Sequence, residues 1–379
     1  MKIALVSTGL GRVLRGFESF TASFFEAIGR FAPEIDVTVF KGGGKRGERE
    51  VVVPNLHRYD APARWFSDDR ANLMEKRSFG LALYPMLRKG RFDIVHYNEL
   101  VMGSSLYHLR RWFGGNFKLL YCGGSTWSPA HYGHRCDFAQ LLTGPMWEEA
   151  RAFGISERRL FIVPYGINAD WFSPEKRIHR LEVRRGLGIP ENAKVVLTMA
   201  ALDRETKRID YLLRELAVLE NPVWLIAAGQ KTPDTSQLEE LAKRLLNGRC
   251  RFISWPHEKV PSLYGAADVF VLTSLREGFG LVIVEAMLSG LPVIIHNGAV
   301  FRWVARGTSA RLIDMSIEGE LTKALADEFH NGTQTCVRSE AARQFGWEAL
   351  IPAYLDMYYQ VGERSREADF PGPRLRGGS

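Results

Sequence analysis

Short β-branched apolar runs alternate with longer amphipathic stretches along nearly the whole chain, and this rhythm constrains the fold more than any other feature. It is the pattern of parallel strands joined by helical crossovers. In the first half it predicts strands at residues 2–6, 36–40, 94–96, 118–121 and 160–163, with helices at 18–30, 71–87 and 145–153. The strand segments are almost continuously apolar, which implies burial on both faces. The rhythm then repeats, with strands at 195–199, 224–227, 251–254, 269–272 and 292–295 and helices at 211–219, 236–246, 282–288 and 319–330.

A chain of 379 residues is too long for one ordinary domain of this kind, so two α/β domains are expected. The Pro/Gly punctuation of Val163-Pro164-Tyr165-Gly166-Ile167-Asn168 marks the boundary. The expected organisation is a Rossmann-like domain over 1–165, a second over 166–345, and a helix at 346–362 that crosses back to the first. A Gly-, Pro- and Arg-rich tail over 363–379 is expected to be disordered, and residues 41–46 to form a mobile loop.

The four cysteines, Cys122, Cys136, Cys250 and Cys336, form no CxxC pair, which argues against a disulfide framework or a zinc finger. The opening residues read as a core strand rather than a leader, and no apolar run reaches the length of a membrane span. A cytoplasmic protein is expected, with peripheral contact at the inner membrane face as an extension. The net charge of +7 is carried entirely by roughly the first 165 residues. Beyond a solvated surface, that asymmetry fits an anionic acceptor or an anionic lipid leaflet. Nothing in the pattern resembles a nucleic-acid-binding module, so no nucleic acid is expected as a partner.

Open parallel sheets bind ligands at the carboxyl ends of their strands, where glycine-rich turns lead into helices. The segment Ser274-Leu275-Arg276-Glu277-Gly278-Phe279-Gly280-Leu281-Val282-Ile283-Val284-Glu285-Ala286 has that character. Gly278 and Gly280 allow close backbone approach, and the amides around Gly280, Leu281 and Val282 face an anion at the positive end of a helix. Glu277 lies before the loop and Glu285 about one turn into the helix. Two carboxylates flanking a phosphate-attracting turn suit a sugar nucleotide. Singly, Glu285 is better read as complementing the amino end of its helix and Glu277 as capping a turn.

The Glu277-x7-Glu285 element and its surroundings resemble the signature of the retaining family-four (group 1) glycosyltransferases of GT-B fold. The similarity extends to residues 263–271, to the Pro164-Tyr165-Gly166 linker and to the Gly9/Gly11 loop after the first strand. The resemblance implies two facing Rossmann-like domains with the donor in the cleft between them. It implies that Glu285 binds the ribose, Glu277 the donor sugar, and the amides of Gly280, Leu281 and Val282 the phosphates, with Gly278 and Phe279 also on the donor-binding turn. Lys207, in Asp203-Arg204-Glu205-Thr206-Lys207, matches the family's diphosphate-binding lysine. The reaction implied is transfer of a hexosyl-type group to an acceptor hydroxyl with retention, from UDP-sugar or GDP-sugar as co-substrate. No other cofactor and no metal is required, because lysine and a helix terminus supply positive charge.

Two departures stand out. The family often has an arginine shortly before that lysine, where this chain has Ala200-Ala201-Leu202; Arg204 is the candidate replacement. The family also often has a histidine ending the fourth strand, where this chain reads Tyr121-Cys122-Gly123-Gly124-Ser125. His131 and His134 follow in a loop with Cys136 and Asp137, a cluster that also admits a weak metal reading. Gly9, Gly11, Arg12 and Arg15 are candidates on the acceptor side, although Gly9-x-Gly11 falls short of a dinucleotide fingerprint. Phe17, Phe20, Phe24 and Phe25 fall at helical spacing and are expected to be core. The acceptor classes that suit the loops are a lipid, a glycan precursor or a natural-product aglycone. The competing readings are a non-catalytic sugar-nucleotide-binding protein and another GT-B-shaped enzyme, such as an epimerase or a phosphorylase.

Overall fold

A computed structural model describes residues 1–13, 16–124, 126–331 and 343–364. The chain divides into two compact units, Met1–Gly166 with the segment from Trp347 onward, and Ile167–Gly346.

The amino-terminal unit holds a seven-stranded sheet in the order β3-β2-β1-β4-β5-β6-β7. Its strands are β1 Lys2–Ser7, β2 Asp36–Lys41, β3 Glu50–Val52, β4 Ile94–Tyr97, β5 Lys118–Gly123, β6 Phe138–Leu141 and β7 Leu160–Ile162. All the pairings are parallel. The crossovers are α1 Gly16–Phe31, α2 Asp68–Gly90, α3 Leu100–Phe113, α4 Pro129–Tyr132 and α5 Gly144–Ala152. Phe20 and Phe24 of α1 are buried and lie against Tyr354 of the helix Trp347–Glu363, which therefore packs within this unit. Phe17 and Phe25 are only half-buried at the edge of that face. On the other side of the sheet, Phe79, Leu83 and Leu87 of α2 pack with Met102 and Leu106 of α3 and with Tyr97 and Tyr121.

The carboxyl-terminal unit holds a six-stranded sheet in the order β10-β9-β8-β11-β12-β13. Its strands are β8 Val195–Met199, β9 Trp224–Ala228, β10 Cys250–Ile253, β11 Val269–Leu272, β12 Val293–His296 and β13 Arg311–Ile313, again all parallel. Its helices are α6 Arg180–Gly186, α7 Ile209–Ala217, α8 Thr235–Leu246, α9 Val260–Ala266, α10 Leu281–Leu288, α11 Ala299–Val304 and α12 Glu320–Asn331. Arg184 of α6 is fully buried and holds Asp268, at the foot of β11, at 2.9 Å, while Asp268 also accepts from the Val195 amide at 2.8 Å. A buried guanidinium thus fixes the register of β8 beside β11.

Three strands and five helices (α3, α4, α6, α9 and α11) escape the sequence pattern. β3 and β13 are three residues each, and β6 (Phe-Ala-Gln-Leu) has no β-branched residue. Helix α3 hides behind a stretch in which Ser, Gly and aromatic residues blur the period. Of the expected loop at 41–46, Lys41 ends β2 and is buried with Gly42 and Gly43, the Gly43 amide donating to Leu10 O at 3.3 Å, while residues 44–46 are exposed. A Cβ on Gly42 would come within 2.0 Å of Thr8 O, so this glycine permits close packing of two loops. Residues 365–379, most of the expected tail, lie outside the described residues.

Candidate active site

In each unit the connections reverse direction between two neighbouring central strands, β1 and β4 in one and β8 and β11 in the other. The loops after such a pair diverge and leave a crevice at the carboxyl ends of the strands.

In the carboxyl-terminal unit these are the loops that carry Lys207 and Glu277. Asp203 organises the first: its Oδ1 accepts from the amides of Thr206 at 2.7 Å and Lys207 at 2.8 Å. Thr273, at the end of β11, donates its hydroxyl to Lys207 O at 2.6 Å and ties the two loops together. Arg208 takes the left-handed conformation (φ 52°) and is anchored through Met315 O at 2.7 Å. The result is that Lys207 Nζ meets Glu277 Oε1 at 2.5 Å, both side chains partly exposed.

The glycine-rich turn then leads into α10. Gly280 precedes the helix with φ 80° and no side chain caps its amino end. A Cβ at Gly280 would meet Ile283 Cδ1 at 2.7 Å. Leu281 and Val282 form the first turn, half-exposed. Gly278 is buried, and Phe279 turns its ring into the core against Phe345, so at this position only backbone faces the turn. Glu285 lies four residues beyond Leu281 and accepts from the hydroxyl of the fully buried Tyr264 at 2.6 Å. Burial pushes its carboxyl up to about 7, against the opposing pull of the Tyr264 hydrogen bond. The structure therefore brings Lys207, Glu277, Gly280 and the first turn of α10 together, with Glu285 beneath. Arg204 is exposed, and its backbone amide is held by Asp234 at 3.1 Å.

In the amino-terminal unit the corresponding loops carry Gly9, Gly11 and Arg12 after β1 and Glu99 after β4. Glu99 accepts from both the amide (3.0 Å) and the hydroxyl of Thr8, and its burial raises its pKa. Gly9 sits against Glu18, and Gly11 (φ 85°) against the backbone of Gly43. Arg12 Nη1 reaches the buried Glu75 at 3.4 Å, and Arg58 reaches the same carboxylate at 2.7 Å. Arg15 lies outside the described residues. His131 is exposed beside Trp127, and His134 is near Phe153. The loop's other two metal-reading members are engaged elsewhere. Asp137 pairs with Arg110, and Cys136 is buried with its thiol pushed up to about 12 by desolvation. Among the described residues no group of three or more metal-ligating side chains is placed to hold an ion.

The sequence did not single out Asp203, Thr273, Tyr264 or Glu99. Only Asp203 carried a local signal, an aspartate four residues before the lysine it positions. Thr273 and Tyr264 meet their partners in the carboxyl-terminal unit, and Glu99 meets Thr8 in the amino-terminal unit, through strand order.

Two units of this topology, each with a switch-point crevice, define the GT-B class. Solved structures agree: a sucrose-phosphate synthase from Thermosynechococcus elongatus superposes with a TM-score of 0.77 at 20% identity, covering 95% of this chain and 98% of that one. The Anabaena protein HepE in complex with UDP and glucose does so at 0.72 and 19%, covering 95% and 99%. Residues 179–343, within the carboxyl-terminal unit, match the family described as glycosyl transferases group 1. D-inositol 3-phosphate glycosyltransferase of Corynebacterium urealyticum is 30% identical over 237 residues, 58% of this chain and 55% of that protein. Mannosylfructose-phosphate synthase of Agrobacterium fabrum is 31% identical over 175 residues, 43% and 38% respectively. The aligned stretches thus span about half the length, or less, of these curated relatives. No described helix is long and apolar enough to cross a membrane.

Proposed function

We propose that the protein transfers a hexosyl group from a nucleoside diphosphate sugar to an acceptor hydroxyl, with retention at the anomeric carbon. The observation that carries this reading is the meeting of Lys207 and Glu277 beside the uncapped amino end of α10. Lys207 and the amides of Gly280, Leu281 and Val282 take the diphosphate, and Glu277 accepts hydrogen bonds from the donor sugar. Glu285 accepts from the ribose hydroxyls. As the bond between the anomeric carbon and the phosphate oxygen breaks, negative charge grows on the departing diphosphate, and Lys207 stabilises it. The acceptor hydroxyl attacks from the face the diphosphate leaves, and its proton passes to a phosphate oxygen, so no strong protein base is needed. The acceptor side falls to the amino-terminal unit, in the loop of Gly9, Gly11 and Arg12.

Calorimetric titration with UDP, GDP, ADP and TDP tests the donor assignment, on the parent and on Glu285→Ala and Lys207→Ala. Binding of one nucleotide, weakened by both substitutions, supports it and selects the donors for a transfer assay. Binding that ignores both substitutions, or no binding, overturns it. Donor binding without transfer to any acceptor would instead identify a sugar-nucleotide-binding protein.

A further inference from the structure

Helix α2 presents an outward stripe that the proposed transfer does not use. Arg70, Met74, Arg77, Leu81, Pro85 and Arg88 recur at intervals of three and four residues and so share one face. Five of the six are exposed, Leu81 at 58%, and Met74 is half-buried. The chain carries no acidic residue between Glu75 and Asp93, and none between Glu99 and Asp137. These two acid-free stretches contain most of α2 and all of α3.

The helices run side by side. Gly80 of α2 lies so near α3 that a Cβ there would meet Ser105 Cβ at 3.0 Å. At their shared carboxyl ends, Tyr84 of α2 donates its hydroxyl to Gly114 O, just past α3, at 2.5 Å. That contact places the exposed Trp112 (71%) and Phe113 (61%) at the same end as Arg88 and Lys89. Trp65 (71%) and Phe66 (46%) stand at the other end, just before α2 begins. Among the described residues none of Arg70, Arg77, Arg88, Lys89 or Arg111 is paired with a carboxylate.

We propose that this face of α2 and the end of α3 form a docking surface for an anionic lipid bilayer. Exposed tryptophan and phenylalanine are amphipathic or apolar groups that enter the headgroup region, and the arginines keep their charge among lipid phosphates while their stems cover Leu81 and Pro85. Each such cation near an anionic leaflet contributes through a field that salt screens. A nucleic acid is a poorer occupant, because the aromatics sit at the two ends of a helical ridge and form no stacking platform.

Flotation of the full-length protein with vesicles tests the proposal, comparing phosphatidylcholine alone with phosphatidylcholine containing phosphatidylglycerol. The protein is expected to float with the anionic vesicles only, and less as salt rises. Arg77→Gln with Arg88→Gln is expected to weaken binding roughly 25-fold, at about fivefold for each cation removed. Trp112→Ser with Phe113→Ser is expected to leave a weaker association that is lost entirely at high salt. Circular dichroism confirms that each variant is folded. Equal binding to neutral and anionic vesicles, no binding to either, or folded variants that bind like the parent would overturn the proposal. So would tighter binding to duplex DNA than to anionic vesicles.

Discussion

The ammonium of Lys207 and the carboxylate of Glu277 neutralise each other at 2.5 Å across two loops that strand order makes neighbours and the Thr273 hydroxyl ties together. Under the proposed assignment Lys207 serves the nucleotide and Glu277 the sugar, so the two should separate in experiment. Lys207→Ala is expected to weaken free nucleotide binding and to lower transfer by roughly 10²–10³-fold. Glu277→Gln is expected to lower transfer while leaving affinity for the free nucleotide unchanged, because that ligand has no sugar. Paired titration and initial-rate measurements distinguish these outcomes, and equal loss in both assays for Glu277→Gln would reject the division of roles.

Glu285 gives the site a pH dependence. Its carboxyl is raised to about 7, and ribose hydroxyls need the ionised form as acceptor. Nucleotide affinity is therefore expected to increase as pH rises through 7, and Glu285→Gln to flatten that increase. Stability runs the opposite way. Between the unfolded value near 4.5 and about 7 the folded protein binds the extra proton, so stability falls as pH rises through that window. Glu285→Gln should remove on the order of 2 kcal/mol of that decline, read from denaturant melts at pH 5 and pH 8.

Gly280 is a conformational requirement as well as a spatial one. At φ 80° an alanine would cost about 1–2 kcal/mol, and its Cβ would also press on Ile283. Gly280→Ala is expected to lower the melting temperature and to weaken nucleotide binding by misaiming the first turn of α10. A variant that melts lower yet binds normally would show that these amides do not hold the phosphates.

Glu75 is the only carboxylate that holds both Arg12 and Arg58 among the described residues, and it is 4% exposed. Removing its charge leaves two guanidinium groups without that partner. Glu75→Gln is expected to destabilise the amino-terminal unit by about 2 kcal/mol, reduced from a fully buried pair because both arginines are partly solvated. Urea denaturation checks the size of the effect.

Much of the fold was legible because strands buried on both faces leave near-continuous apolar runs, as in residues 2–6 and 269–272. The glycine-rich turn before α10 was legible because Gly278, Gly280 and Glu285 are close in sequence and each has a strong local preference. Short edge strands such as β3 and β13 were not, because three residues carry too little pattern. Partnerships such as Thr8 with Glu99, or Tyr264 with Glu285, depend on which strands are neighbours. The burial of Phe279 was also hidden, since a phenylalanine in a glycine turn gives no sign of which way its ring will face.

The helix Trp347–Glu363 belongs to the amino-terminal unit, and within the other unit Ile167 and Gly346 pair as a bridge. The carboxyl-terminal unit is therefore spliced into its neighbour, entering and leaving at adjacent points. On a ribosome, the amino-terminal unit must wait for the whole insert before receiving its last helix, and until then Phe20 and Phe24 lack the cover of Tyr354. The insert has no such debt. Because its two ends already touch, it can complete itself as it emerges, which makes the later-synthesised half the one equipped to fold first.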